Sequence, residues 1–269
     1  MIIIGEKING AIPAVKAAIL SRDAEAIRSL ALRQAETGAD YIDCCAGLHE
    51  GEREAMAWLI DCIQSVTDTP IAVDSPDPAV CVEAMQLCAR PGIVNSVSGE
   101  KKKLETILPA VAGTSWKVMT LLCDDRGIPK TADGRLAVLD AVMAEAKRYG
   151  IPEGRIFIDP MVEMLCASEE GISVIREVIT GARKAYPKAH ISCAVSNISY
   201  QLPYRRIVNL SFAVMATAFG MDAAVLDPLS RDLRGAIYAA EALLGQDEYC
   251  MEYIGAYREG LFGTDKKHE

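Results

Sequence analysis

Eight times along this chain a short, unbroken apolar run is followed by a longer stretch whose apolar residues recur at helical spacing. The run–helix pairs are residues 2–5 and 14–37, 41–44 and 52–66, 70–73 and 78–89, and 92–94 and 101–111. They continue with 116–122 and 135–149, 155–158 and 169–185, 189–195 and 205–219, and 223–226 and 233–244. Continuous apolar runs, unlike alternating ones, belong to strands covered on both faces, as in a parallel sheet. The intervening helices supply the right-handed crossovers that parallel strands need. Eight units without a change in composition predict an α/β chain forming a single (β/α)8 TIM barrel. A doubly wound open sheet competes, but it would normally open on a glycine-rich turn. Here the first turn reads Gly5-Glu6-Lys7-Ile8-Asn9-Gly10. The expected barrel domain is residues 1–262, and residues 263–269, GTDKKHE, read as a frayed, disordered tail. Residues 246–257 predict an extra C-terminal helix. Its Tyr249, Tyr253 and Tyr257, four apart, offer a face for the barrel wall or for a homodimer contact.

Composition narrows the function classes. The net charge of -9 weighs against general nucleic-acid binding, which depends on neutralising phosphates. No run approaches 18 apolar residues, so no membrane span is expected. The opening MIIIGEKING has no basic segment ahead of a long apolar one, so no signal peptide is expected. Nine cysteines, an odd number with no CxxC, point to reduced thiols in a cytoplasmic protein. A metal site is not expected. Of the three histidines His49, His190 and His268, His190 stands three residues from Cys193 on one predicted strand, so the two face opposite ways, and four converging zinc ligands cannot be assembled. A G-x-S-x-G nucleophile turn is also missing.

Barrel chemistry gathers at the C-terminal ends of the strands. The predicted strands end in Glu6, in Asp43 and Cys45, in Asp74-Ser75, in Asn95-Ser96, in Asp159-Pro160, in Ser196-Asn197 and in Asp227, with Thr120 the candidate on the fifth. Taken singly, an Asp or Asn just past a strand often caps the next helix, and Asp74-Ser75-Pro76-Asp77 can be read that way. Seven of eight strand ends doing so converge on one cavity. Such a ring suits a flat, polar heterocycle. It suits a polyphosphate poorly, because no glycine-rich anion loop accompanies it.

The same stretches resemble the methyltetrahydrofolate:corrinoid protein methyltransferases, within the wider pterin-binding barrels. The matching motifs are GEKIN at 5–9, GADYID at 38–43, AVDS at 72–75, IVNS at 93–96, GIPK at 127–130 and IDP at 158–160. They run on through AVSNIS at 194–199, GMDAAVLDP at 220–228 and ALLGQDEYC at 242–250. The resemblance spans the whole chain in order. It implies pterin contacts from Asp74, Asn95, Asp159 and Asn197, with Ser196 beside the last and Arg205 in the position of a family arginine. From their places at the strand ends, Glu6, Asp43, Ser96 and Asp227 are candidates for further rim contacts. Two positions depart from the family: Cys45 stands where an Asn is usual, and Lys7 stands where an Arg is usual.

The resemblance also implies a reaction. A methyl group would move between N5 of tetrahydrofolate and the cobalt of a corrinoid. N5 leaves badly from carbon unless it is protonated or strongly hydrogen-bonded as the bond breaks, and Asn197 would supply that contact. Cobalt being the nucleophile, no activated Ser, Cys or Lys is required. The chain has no D-x-H-x-x-G corrinoid motif, so the corrinoid would come on a separate protein docking over the barrel mouth. Direction is open: either one-carbon and acetyl-CoA metabolism, or methylation of tetrahydrofolate as part of a demethylase. The family forms homodimers. The alternatives are an enzyme like dihydropteroate synthase, which would need a pyrophosphate loop after strand one or two and a basic cluster on the last strands, and a non-catalytic folate-binding barrel subunit.

Overall fold

In the computed structural model, which describes residues 1–263, the strand–helix repeat closes on itself. In chain order the elements are β1 (Ile2–Asn9), α1 (Pro13–Ser21), α2 (Ala24–Glu36), β2 (Tyr41–Cys45), α3 (Glu52–Gln64), β3 (Ile71–Asp74), α4 (Pro78–Leu87), β4 (Ile93–Ser98) and α5 (Lys101–Val111). They continue as β5 (Lys117–Leu121), α6 (Ala132–Arg148), β6 (Ile156–Asp159), α7 (Ser173–Ala185), β7 (His190–Ala194), α8 (Arg205–Phe219), β8 (Ala223–Leu226), α9 (Arg231–Leu243) and α10 (Met251–Arg258). Each strand pairs in parallel with its sequence neighbours, and β1 pairs with β8 to seal a (β/α)8 barrel.

Two apolar layers follow from the alternation of side chains along each strand. Inside the barrel, Ile4, Tyr41, Ala72, Ile93, Met119, Phe157 and Ala223 form a closed cluster. The neighbouring strand residues, such as Ile42, Val73, Val94 and Val118, join the larger layer against the helices. The N-terminal end of the barrel is plugged by Lys117, whose ammonium bonds the Tyr41 hydroxyl and lies over the Tyr41 and Phe157 rings. His190 starts β7, stacks on Phe157 at 4.7 Å and bonds Asp222 through Nδ1 at 2.9 Å. It is thus a structural residue at the end of the barrel away from the strands' C-termini.

Several expectations are corrected. The helix expected over residues 14–37 is two helices. Arg22 takes a left-handed conformation (φ 56°), and the Asp23 carboxylate caps α2 by accepting from the Ala26 amide. The terminal helix starts at Met251, not at 246, because Tyr249 and Cys250 are also left-handed. Tyr249 therefore leaves the helical face, while Tyr253 and Tyr257 pack on Phe262. Apart from Gly263, whose carbonyl accepts from Arg231, the expected tail lies outside the described residues. Among the described residues no helix is long and apolar enough to cross a membrane. At the mouth, Gly10 is fixed by close approach: a Cβ there would sit 2.1 Å from the Ala46 carbonyl oxygen.

Candidate functional site

The polar ring grows directly out of the inner apolar layer. Two residues beyond Ile4, Tyr41, Ala72, Ile93 and Phe157 stand Glu6, Asp43, Asp74, Asn95 and Asp159, so the period of two aims them at the same axis. Strand register confirms the neighbours: Cys45 lies opposite Asp74, Asp74 opposite Asn95, and Leu121 opposite Asp159. On β5 the inward residues are Met119 and Leu121. Thr120, the expected rim residue, falls between them and faces the helices, with its buried hydroxyl unpartnered. The fifth strand therefore gives the ring an apolar wall.

Each member has a distinct environment. Asp43 is buried and accepts from Asn95 Nδ2 at 3.3 Å. Its carboxyl is pushed well above the ordinary value by burial and by the neighbouring Asp74, against the pull of Asn95. Asp74 is raised to about 6, mainly by burial, although the Cys45 thiol donates to it. The departure at Cys45 thus keeps a hydrogen-bond donor, and burial beside two carboxylates pushes that thiol up, away from thiolate chemistry. Asp77, rather than Asp74, caps the following helix, leaving Asp74 free for the cavity. Ser96 is buried where β4 slips register.

Asp159 is held by the chain after it. Its Oδ1 accepts from the Met161 amide at 2.7 Å. Arg135, buried in α6, donates to the carbonyls of Pro129, Pro160 and Met161 at 2.7–2.9 Å and pairs with Glu163. Arg135 thereby fastens the loop that follows Asp159. Only its position on an apolar helical face hints at this in the sequence. Burial raises the Asp159 carboxyl to about 6, against the Met161 and Arg135 contributions. Because that value lies above the ordinary 3.8, the folded chain holds this proton more tightly than the unfolded one. Stability of the ligand-free protein therefore falls as pH rises from about 4 through 6. Asp159→Asn can keep the Met161 bond through Oδ1. It is expected to raise the melting temperature near pH 8 and to give a smaller gain near pH 5, where the native carboxyl is mostly protonated. Calorimetry without ligand checks this, and a lower melting temperature at both pH values contradicts it.

The opposite wall is built by β1, β7 and β8. After β7 the chain winds into a 3₁₀ turn, Val195–Ser199. Ser196 Oγ donates to Glu6 Oε2 at 2.9 Å, and burial raises the Glu6 carboxyl against that bond. Arg205 donates to the Ser196 carbonyl (2.7 Å) and to Ser199 Oγ (2.9 Å), bracing the turn from outside. Lys7 pairs with Asp227 at 2.9 Å, so both sit in a local bridge. Asn197, at the tip, is exposed and its side chain has no partner among the described residues. It does not cap α8, which begins after Tyr204 with no side-chain cap. A cavity of about 320 Å³ opens beside this turn, lined by Glu6, Ser196, Arg205, Arg206, Asn209 and Ser230 among others.

Chemically, the mouth has a floor of buried acceptors and an open side carrying a free amide. Carboxylates held in low dielectric are poorly satisfied alone and strongly favour a ligand edge rich in N–H donors. Among the described residues no cluster of three His, Cys, Asp or Glu has the arrangement of a metal site.

Comparison with known proteins agrees with this geometry. The pterin binding enzyme family matches residues 14–227. A methylcorrinoid:tetrahydrofolate methyltransferase of Eubacterium limosum is 44% identical over 266 residues, covering 98% of each chain. Among solved structures, dihydropteroate synthase of Coxiella burnetii with pteroic acid superposes at TM-score 0.68 and 19% identity, over 91% of this chain and 94% of that one. The Clostridium difficile enzyme with pteroic acid gives 0.69 at 17% identity, over 90% and 96%. These last two likenesses concern the fold alone. With a family match over most of its length and a relative alike from end to end, the chain belongs to the pterin binding enzymes.

Proposed function

We propose that this chain is a methyltransferase that moves a methyl group from a methylcorrinoid, carried on a separate protein, to N5 of tetrahydrofolate. The observation that carries the reading is Asn197: an unpartnered amide on a braced turn, at the open side of a ring of buried carboxylates. The name of the Eubacterium limosum relative supports both the substrates and the direction.

The corrinoid supplies a methyl group that leaves without its bonding electrons. The chain's own residues do the rest. Asp74, Asn95 and Asp159 hold the pterin edge through its N–H groups, which aligns N5 and reduces the entropy of the encounter. N5 contributes the electron pair, acquires positive charge as its bond to carbon forms, and then loses its proton to water at the open side of the mouth, where Asn197 is exposed. The Asn197 carbonyl accepts from N5–H as that charge develops, and by microscopic reversibility the same bond holds the protonated N5 as the methyl departs in the reverse direction. The contact is strongest in the transition state.

A dihydropteroate synthase-like reading has less support. The segment 46–51 after β2 carries no Lys or Arg, and β8 is followed by Asp227, already engaged by Lys7. The setting we propose is cytoplasmic, consistent with nine free cysteines. Incubation of methylcobalamin, tetrahydrofolate and the protein is expected to yield 5-methyltetrahydrofolate, measured by chromatography. Formation no faster than without protein contradicts the assignment.

A homodimer is the assembly we propose. Leu243, Leu244, Tyr249, Met251 and Ile254 stay exposed at the α9–α10 end, although Tyr253 and Tyr257 are occupied by Phe262. Light scattering at micromolar concentration is expected to give twice 29.0 kDa. A mass of 29.0 kDa removes the dimer.

A further inference from the structure

Asp43 on β2, Asp74 on β3 and Asn95 on β4 stand on neighbouring strands and share few donors. Asp43 is 2% exposed. It receives a hydrogen bond from Asn95 Nδ2 at 3.3 Å, and no backbone amide or cation bonds it among the described residues. Asp74 receives the Cys45 thiol. Glu6 of β1 adds negative charge near Asp43, and Glu52 of α3 adds it near Asp74. Lys103 of α5 acts on Asp74, but it is already bound to Glu100 at 2.8 Å. Asp222, at the other end of the barrel, shows what a charged carboxylate receives in this protein: Arg183 and the Ile191 amide on Oδ1, and His190 on Oδ2. Two carboxyls side by side in low dielectric, with one amide and one thiol to serve them, cannot both ionise. Burial and Asp74 push Asp43 well above its ordinary value while Asp74 rises to about 6, so the shared proton belongs on Asp43.

A protonated carboxyl keeps an acceptor oxygen beside its O–H. We propose that Asp43 is a positioning residue that works as the neutral acid: its carbonyl oxygen holds the Asn95 amide nitrogen, which leaves the Asn95 carbonyl oxygen for an N–H of the pterin. The inference rests on the functional reading above, which puts the pterin edge on Asn95. It also divides the labour of the wall. An ionised Asp43 would oppose the charge of Asp74, whereas a neutral one lets Asp74 serve as the charged acceptor at neutral pH.

The neutral state is read without ligand. The infrared difference spectrum of the native protein minus Asp43→Asn at pH 7 is expected to contain the C=O band of a protonated carboxylic acid. An ionised carboxylate band in its place overturns the proposal. Calorimetric titration with tetrahydrofolate reads the positioning. Asparagine has the acceptor and the shape of the neutral acid but no proton to lose, so Asp43→Asn is expected to bind within about threefold of the native protein. Asp43→Leu removes the acceptor and should weaken binding roughly tenfold, the scale of one hydrogen bond. A loss in Asp43→Asn as large as in Asp74→Asn means that the ligand uses a charge on Asp43, and overturns the proposal. So does native affinity in Asp43→Leu. If the leucine variant does not fold, the infrared band and the asparagine variant decide the matter. Failure of the native protein to bind the folate removes the pterin reading and this role with it; the band, which needs no ligand, tells that failure from an ionised Asp43.

Discussion

Asn197→Ala is expected to lower the single-turnover rate at saturating pterin by roughly 10²–10³-fold, the scale for deleting one transition-state hydrogen bond. Its effect on pterin affinity is expected to be clearly smaller, because N5 gains or loses its charge only as the methyl moves. Several features sharpen the expectation. The side chain is exposed and bonds nothing else among the described residues, so its removal should leave the fold undisturbed. The turn itself is held by the Glu6–Ser196 bond and by Arg205, neither of which uses the Asn197 amide. Stopped-flow decay of cob(I)alamin with 5-methyltetrahydrofolate reads the rate, and a melting curve of the same variant reads the fold. A near-native rate moves N5 activation to another group or to water.

The second large effect concerns binding. Asp74→Ala and Asp159→Ala are each expected to weaken methyltetrahydrofolate by about 1–3 kcal/mol, the scale of a lost charged hydrogen bond. Both carboxyls are raised to about 6 in the ligand-free protein, chiefly by burial. A ligand that donates to the ionised forms holds them charged, so affinity should fall as pH drops through about 6. In either alanine variant that pH dependence should become shallower. Asp159→Asn should weaken binding too, while raising the stability of the empty protein. Such opposed signs mark a residue kept for its ligand rather than for the fold. Native affinity in both alanine variants by calorimetry removes the pterin from this rim.

The barrel and most of its polar ring were legible because one rule generates both. A strand that alternates inward and outward, ended by a carboxylate or amide two residues beyond an inward apolar one, announces the ring in its spacing: Ala72 to Asp74, Ile93 to Asn95, Phe157 to Asp159. Where both phases are apolar, the rule loses its footing. Residues 116–122 offered no polar alternation to set the phase, and Thr120 was assigned inward although Leu121 holds that place. The break at Arg22 was hidden because a left-handed residue leaves no mark in hydrophobic spacing; the Asp23 cap was its one trace.

Contacts made across the closed barrel were out of reach for the same physical reason. Glu6 and Ser196 lie 190 residues apart, and only closure of β1 against β8 brings them together. Arg205 matched a family position, but its grip on the Ser196 carbonyl depends on how the 3₁₀ turn folds back toward α8. Cys45 looked like a defect in the motif. Register sets it opposite Asp74, where its thiol acts as a donor in the same direction an amide would. Lys7 likewise keeps its charge and spends it on Asp227.

The central claim, methyl transfer between a corrinoid and N5 of tetrahydrofolate, is tested most directly by anaerobic rapid mixing of the protein with cob(I)alamin and 5-methyltetrahydrofolate. The expected result is loss of the cob(I)alamin absorbance matched by appearance of methylcobalamin, at a rate proportional to native protein and far slower with Asn197→Ala. An unchanged cob(I)alamin spectrum, from a protein that calorimetry shows to bind the methylated folate, would contradict it.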